Sequence, residues 1–160
     1  MLPFFGRKLV PSIRPLDPEW AVDCARLHAP SFGHPWSEYE FERLLAADNT
    51  VADGALAAGG RRLLGFVLSR NAGEEAEILT VVVDAAARRR GLGRALVGTH
   101  LARLAGLGVK ALFLEVEEEN RAAIALYAGY DFREVGRRQG YYPKASGEAA
   151  SAVVMRRDLI

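Results

Sequence analysis

The segment RRRGLGRALV, residues 88–97, joins three arginines to a Gly-x-Gly turn that opens directly into apolar sequence. Residues of these types in this order suit an anion. Arginine supplies a permanent cation with several donors. Gly91 and Gly93 let a backbone approach a ligand with no Cβ in the way, and the first turn of a helix offers unpaired N–H groups. The helix dipole contributes only about 0.3–1 kcal/mol there, so several amides and an arginine must act together. Two phosphate motifs do not fit. A mononucleotide loop needs Gly-Lys-Ser/Thr, and here Arg94 and Ala95 follow the glycines. A dinucleotide fingerprint needs a third glycine and a position after the first strand, and this chain has Leu96 there, behind its fourth strand-like stretch. A pyrophosphate cradle of another kind remains, beside the plainer reading of solvated arginines at an ordinary helix start. The loop alone does not separate the two.

Other residues with reactive side chains narrow the chemistry further. Glu115 lies inside LFLEV, and the alternation that would expose it would also expose Phe113. That tension fits a carboxylate facing a cleft, although a glutamate near a strand end is often just a solvated charge. Cys24 is the lone cysteine, which excludes an intramolecular disulfide and a cysteine metal cluster. It shares a helical stripe with Trp20 and Leu27 and reads as a small core residue rather than a nucleophile. His28, His34 and His100 lack ligand spacing, so no metal is assigned. His100 lies on an apolar stripe and reads as a satisfied core histidine.

Composition bounds the partners. With 160 residues the chain is about one domain, given the usual ~100–200 residues per domain. Residues 1–9 read as a short extension of it. Half of the residues are hydrophobic and 26% are charged, the balance of a globular protein. The net charge of +1, from 21 basic and 20 acidic residues, argues against nucleic acid as a direct partner. The opening MLPFFGRKLV does not read as a signal peptide. No run reaches the ~18 apolar residues that span a bilayer. A soluble cytoplasmic protein without a membrane partner is expected.

The elements that must position these residues follow from periodicity. Val10 to Pro15 reads as a first strand. Asp17-Pro18 opens a helix through about His28. Ser37 begins a second helix with the capping-box pattern SEYE, followed by Phe41, Leu44 and Leu45. Strands are expected over Thr50 to Ala58, Arg62 to Arg70 and Glu77 to Val83, with Gly59-Gly60 as a hairpin turn. The β-branched run ILTVVV suggests burial on both faces. From Leu92 the stripe Leu92, Leu96, His100, Leu101, Leu104, Leu107 predicts an amphipathic helix that stops at Gly106 or Gly108. Lys110 to Glu117 is a further strand, Asn120 to Ala128 a helix capped by Asn120, and Phe132 to Arg138 and Ala152 to Leu159 close the chain as strands. The alternation of strands and helices predicts an α/β layer architecture with a mixed sheet.

RRRGLGRA is similar to the Q/R-x-x-G-x-G/A segment of the GNAT superfamily of N-acetyltransferases. EAEILTVVVDAAARRRGLGRAL, LFLEVEEENRAAIALY, GYYP and HPWSEYEF resemble its RimI branch of ribosomal-protein-alanine N-acetyltransferases, in matching order over roughly residues 10 to 159. The resemblance implies a GNAT fold: a mixed, mostly antiparallel sheet of about seven strands, splayed between the fourth and fifth, with about four helices on its faces. It implies acetyl-CoA as cosubstrate. The pyrophosphate would rest on Arg89, Arg90, Gly91, Leu92, Gly93 and Arg94, and the pantetheine arm against the backbone of Val81, Val82 and Val83 and against Asn120. One amide of Val81 to Val83 would serve as oxyanion donor. Two departures stand out. The family's Leu-Gly-Phe is here Tyr130-Asp131-Phe132, a turn that Asp can make in the left-handed conformation. The basic approach to the double tyrosine is diluted to Arg138-Gln139-Gly140.

By the same resemblance Glu115 matches the general base and Tyr127 the general acid. Direct attack in a ternary complex requires a neutral amine, and an α-amine has a reference pKa of ~7.7–8.0 against ~10.4 for lysine. Trp36, Tyr141 and Tyr142 would wall a slot for an extended N-terminus with a small first side chain. The implied substrate is a small-subunit ribosomal protein beginning with alanine. Other peptides, polyamines or small amines are the alternative within the enzyme class, and a CoA-binding module without turnover is the alternative outside it.

Overall fold

The computed structural model describes residues 12–143 and 149–159, and the side chains of 141–143 and 149–150 are not among those described. The proposed extension 1–9, and Val10 of the first strand, therefore lie outside the described residues. Strands β1 (Ser12–Pro15), β2 (Thr50–Leu56), β3 (Leu63–Ala72), β4 (Glu75–Val83), β5 (Ala111–Glu117), β6 (Arg133–Pro143) and β7 (Ala149–Asp158) form one sheet in the order β1-β2-β3-β4-β5-β7-β6. Every neighbouring pair is antiparallel except β4–β5.

Local sequence explains the helices. Asp17 accepts from Glu19 N at 2.9 Å and starts a 3-10 turn that runs into α1 (Ala21–His28). The Ser37–Glu40 capping box forms both of its bonds, at 3.1 and 2.7 Å, and opens α2 (Glu38–Ala46). Helix α3 spans Leu92–Gly106. Asn120 accepts from Ala123 N at 3.2 Å and caps α4 (Arg121–Ala128). Asp131 takes φ 62°, so the Tyr-Asp-Phe ending does keep its left-handed turn.

The helices divide between the two faces of the sheet. Cys24, Leu27 and Phe41 from α1 and α2 pack with Leu56, Phe66 and Leu68 on one side. Leu96, Val97 and Leu104 of α3 and Tyr127 of α4 pack with Val67, Leu112 and Leu114 on the other. Each such fully buried side chain contributes about 1.5–3 kcal/mol over an exposed one. His100 is sealed within this second layer. Its Nδ1 lies 2.6 Å from Asp53 Oδ2 and its Nε2 2.6 Å from Ser69 Oγ, and Arg103 reaches Asp53 Oδ1 at 2.6 Å. These three strand and helix residues have the composition of a hydrolytic triad, but the serine is fully buried. They bolt α3 to β2 and β3. Burial pushes the Asp53 carboxyl up, yet its bond and attraction to His100, with those to Arg103, outweigh that and hold it below its ordinary value.

Three expectations need correction. ILTVVV is not buried on both faces: Ile78, Thr80 and Val82 are buried while Leu79, Val81 and Val83 are only half-covered. Leu79 is an extra residue opposite the Leu68/Ser69 step, a β-bulge that reverses the facing of β4 from that point. Leu107 leaves the α3 stripe and is 58% exposed, because the helix has already ended at Gly106. Strand ends also shift: β2 stops at Leu56, β4 starts at Glu75, and β6 extends to Pro143. The β3–β4 turn went unmarked in the sequence although Gly73 takes φ 68° there.

Candidate active site

Strands β4 and β5 are paired only from Glu75↔Ala111 to Ile78↔Leu114. Beyond that rung β4 continues to Val83 on the side of β3, and β5 continues to Glu117 on the side of β7. The sheet is therefore open along half of this seam. Leu79, the bulged residue, and Glu115 are the first residues past the last rung. A bulge at the mouth of the seam increases local twist and helps turn the two strands apart.

Backbone direction decides what β4 offers to the opening. Asp84 N donates to Leu64 O at 2.8 Å, across to β3. By alternation Val82 also faces β3, while the N–H and C=O groups of Val81 and Val83 face the seam. Of the three valines expected to run along a pantetheine arm, Val82 thus turns its backbone the wrong way. Thr80, beside the bulge, has a buried hydroxyl that makes no hydrogen bond among the described residues.

The arginine loop lies at the end of β4. Arg88 Nε donates to Val83 O at 3.2 Å, Arg89 takes φ 63° and Gly91 φ 76°. This succession places Leu92, Gly93 and Arg94 in the first turn of α3, where N–H groups have no partner within the helix. The two glycines serve different ends. A Cβ on Gly91 would meet nothing within 4 Å, whereas one on Gly93 would lie 3.7 Å from Val83 Cγ2 and 3.8 Å from Leu126 Cδ2. The Cβ direction at Gly93 is inward, toward the packing of α3 on α4, and not toward a ligand. Tyr130 donates its hydroxyl to the carbonyl of Arg94, and the Arg94 guanidinium lies 5.9 Å from that ring. First-turn amides without helical partners, an open Gly91 and a β4 edge with no strand partner beyond Ile78 among the described residues fit an elongated anionic ligand with a polar arm.

Glu115 and Tyr127 lie on opposite faces of the sheet. Leu114 and Val116 point into the α3/α4 layer, so Phe113, Glu115 and Glu117 point to the other face, half-covered. Glu115 keeps 17% of its side chain exposed and pairs with Arg138, Nε to Oε1 at 3.0 Å. Arg138 went unrecognised in sequence as its partner. Tyr127 belongs to the α3/α4 layer, 7% exposed, with its ring 5.7 Å from Phe132 and edge-on. Burial pushes its hydroxyl up to about 12, so it stays protonated at neutral pH. Asn120 spends its side-chain oxygen on the α4 cap.

Trp36 is half-buried in an aromatic stack. His28 lies 4.1 Å from Phe32 and 4.8 Å from Trp36, and Phe41 lies 5.5 Å from Trp36. The backbone N–H of Trp36 donates to His28 Nδ1 at 3.1 Å. Burial, against the opposing charge of Glu40, holds His28 down at about 4, which keeps that nitrogen an acceptor. Packing thus accounts for much of Trp36. The Tyr141 and Tyr142 side chains lie outside those described. Cys24 is fully buried, and burial together with Asp23 pushes its thiol up to about 12, a poor nucleophile.

The signature of the Acetyltransferase (GNAT) family matches residues 21–132. The chain belongs to the GNAT family of acetyltransferases. It is 36% identical over 141 residues to the ribosomal protein bS18-alanine N-acetyltransferase of Salmonella typhimurium, covering 85% of this chain and 86% of that one. It is 40% identical over 144 residues to the N-alpha-acetyltransferase RimI of Mycobacterium tuberculosis, covering 86% of each. A Mycobacterium leprae protein matches at 40% over 141 residues, and the chain spans only 37% of its length. The crystal structure of the ribosomal-protein-S18-alanine N-acetyltransferase from Escherichia coli superposes with a TM-score of 0.85 at 29% identity, over 92% of this chain and 93% of that one. The fold expected from the resemblance is the fold found, including the open seam. The protein is an N-acetyltransferase.

Proposed function

We propose that this enzyme moves the acetyl group of acetyl-CoA to the N-terminal α-amine of a protein in the cytoplasm, by direct transfer in a ternary complex. The substrate that fits best is a small-subunit ribosomal protein beginning with alanine. The observation that carries the reading is the open β4–β5 seam with a carboxylate at its lip, in a chain similar to one enzyme named a ribosomal protein bS18-alanine N-acetyltransferase and another named an N-alpha-acetyltransferase.

Acetyl-CoA supplies an electrophilic thioester carbon when bound. The first-turn amides of α3 with Arg89, Arg90 and Arg94 hold the pyrophosphate, and the seam-facing amides of Val81 and Val83 hold the arm and the developing oxyanion. Asn120 gives the arm a further polar contact from the start of α4. Glu115 accepts a proton from the attacking amine, directly or through water, as the N–C bond forms. Tyr127 donates its proton to sulfur as the C–S bond breaks, and solvent returns the Glu115 proton to the phenolate. The sheet separates these two proton steps, one face to each. Trp36, Tyr141 and Tyr142 border the acceptor side. Acetyl-CoA turnover with an alanine-starting peptide, an N-blocked lysine peptide and a polyamine tests the reading. Acetyl found on the α-amine by mass spectrometry is expected, and acetyl mainly on internal lysines would overturn it.

A further inference from the structure

The rung at Glu117 crosses three strands: Glu117 on β5 pairs with Ala152 on β7, which pairs with Arg138 on β6. Cross-strand partners share a face, so Arg138 stands on the same side of the sheet as Glu115. Ala152 is fully buried between them. Its methyl leaves room for the Arg138 side chain to lie across β7 and put Nε 3.0 Å from Glu115 Oε1. Arg138 is also the last regularly paired residue before β6 bulges, with Gly140 at φ 68°. The neighbouring Arg137 faces the other way and pairs with Glu134 and Glu118, all three side chains about equally exposed. The Arg138 pair is unlike that surface network: the arginine is 55% exposed and the carboxylate 17%. Anything approaching Glu115 from solvent meets the guanidinium beside it. The other charged groups on this face of β5, β7 and β6 are Glu117, Arg156, Asp158 and Arg133. Arg156 lies 5.1 Å from the Phe113 ring and bonds Asp158 at 2.9 Å, and Arg133 pairs with the same carboxylate at 3.7 Å.

We propose that Arg138 is a positioning residue that selects the protonation state of the acceptor amine. Its guanidinium holds Glu115, admits a neutral amine and repels an ammonium ion, and thereby favours α-amines over lysine side chains. The inference rests on the reading of Glu115 as the proton acceptor. At neutral pH an α-amine is ~10% neutral and a lysine amine less than ~0.1%. An enzyme with a bare carboxylate would recover part of that difference by docking the ammonium on Glu115 and taking its proton there. A guanidinium on the carboxylate removes that route, and the intrinsic difference between the amines is kept.

Steady-state kinetics of the wild type, Arg138→Gln and Arg138→Lys test this, with an alanine-starting peptide and an N-blocked lysine peptide from pH 6.5 to 9. In the wild type the acceptor KM should fall as pH rises, following the neutral amine. Arg138→Gln should flatten that KM profile and raise the lysine-to-α-amine ratio of kcat/KM about fivefold, the effect of one screened unit charge at contact range. Arg138→Lys keeps the charge and should restore both, and the KM for acetyl-CoA should not follow either change. A wild type that acetylates the alanine peptide, with Arg138→Gln keeping its ratio and profile, overturns this inference alone. So does Arg138→Lys behaving like Arg138→Gln, since the arginine would then be a brace of the sheet. A wild type with no activity on the alanine peptide overturns the proposed function and this inference together.

Discussion

In the proposed mechanism a carboxylate on one face of the sheet and a phenol on the other divide the proton traffic, and each makes a separate demand on pH. Glu115→Gln should lower kcat/KM by about 10²–10⁴-fold. The loss should be greatest below neutral pH, where the amine is mostly protonated, and partly recovered at pH 9; a rate profile parallel to wild type would remove Glu115 from proton transfer. Tyr127 is protonated throughout the working range because its hydroxyl is pushed up to about 12. Tyr127→Phe should therefore cut turnover without moving the alkaline limb of the profile, and calorimetry should find acetyl-CoA affinity nearly unchanged. The thiol of Cys24 is idle by the same physics. Sealed and held protonated, Cys24 has no route to a covalent acetyl intermediate.

Between strand and helix, the two glycines of the loop are not equivalent. Gly91→Val forces a β-branched side chain into φ 76°, a left-handed conformation that costs about 1–2 kcal/mol, and stands a side chain in the open space before the first turn. Calorimetry should show weakened acetyl-CoA binding in a folded protein. Gly93→Ala adds a methyl at ordinary contact distance from Val83 and Leu126 and should bind nearly as wild type; equal losses in both variants would contradict this division. The caps at Asp17, Ser37 and Asn120 were legible in the sequence because their hydrogen bonds close within two or three residues. Helix α3 was legible from its stripe, except at Leu107, where Gly106 and Gly108 offered two stops and only the three-dimensional end decides. The facing of β4 was not legible. A bulge at Leu79 has no composition of its own, and a run of β-branched residues looks the same in either phase. Nor was the Glu115–Arg138 pair, which spans an intervening strand that comes later in the chain than either residue.

Across the whole molecule, acid should loosen both layers, for reasons of the same sign. His28 is held down at about 4 from an ordinary 6.5, so the unfolded chain binds the extra proton between those values and stability falls as pH drops through that window. Asp53 is held below its ordinary 3.8, so its contribution is complete above that value and lost as pH falls through its folded pKa. Denaturant midpoints should decline from pH 7 to 4, and His28→Phe should flatten that decline; an unchanged slope would discount the histidine. Asp53→Asn should cost about 3–5 kcal/mol at pH 7, as a broken buried ion pair does. The open seam has a mechanical meaning as well. Strands β1 to β4 form one antiparallel ribbon and β5, β7 and β6 another, stitched by four rungs, two backbone bonds from Lys110 and Ala111 to Glu74 O, and the Lys110–Glu74 ion pair. The covalent crossing between the ribbons is α3 and the exposed Leu107–Gly108 turn. In the proposed mechanism a chain cut at that turn becomes a two-piece machine whose ligand touches both pieces: the loop and β4 on one, Asn120 on the other. Acetyl-CoA should then act as the clasp, and co-expressed halves should recover activity with a steeper dependence on its concentration than the intact enzyme.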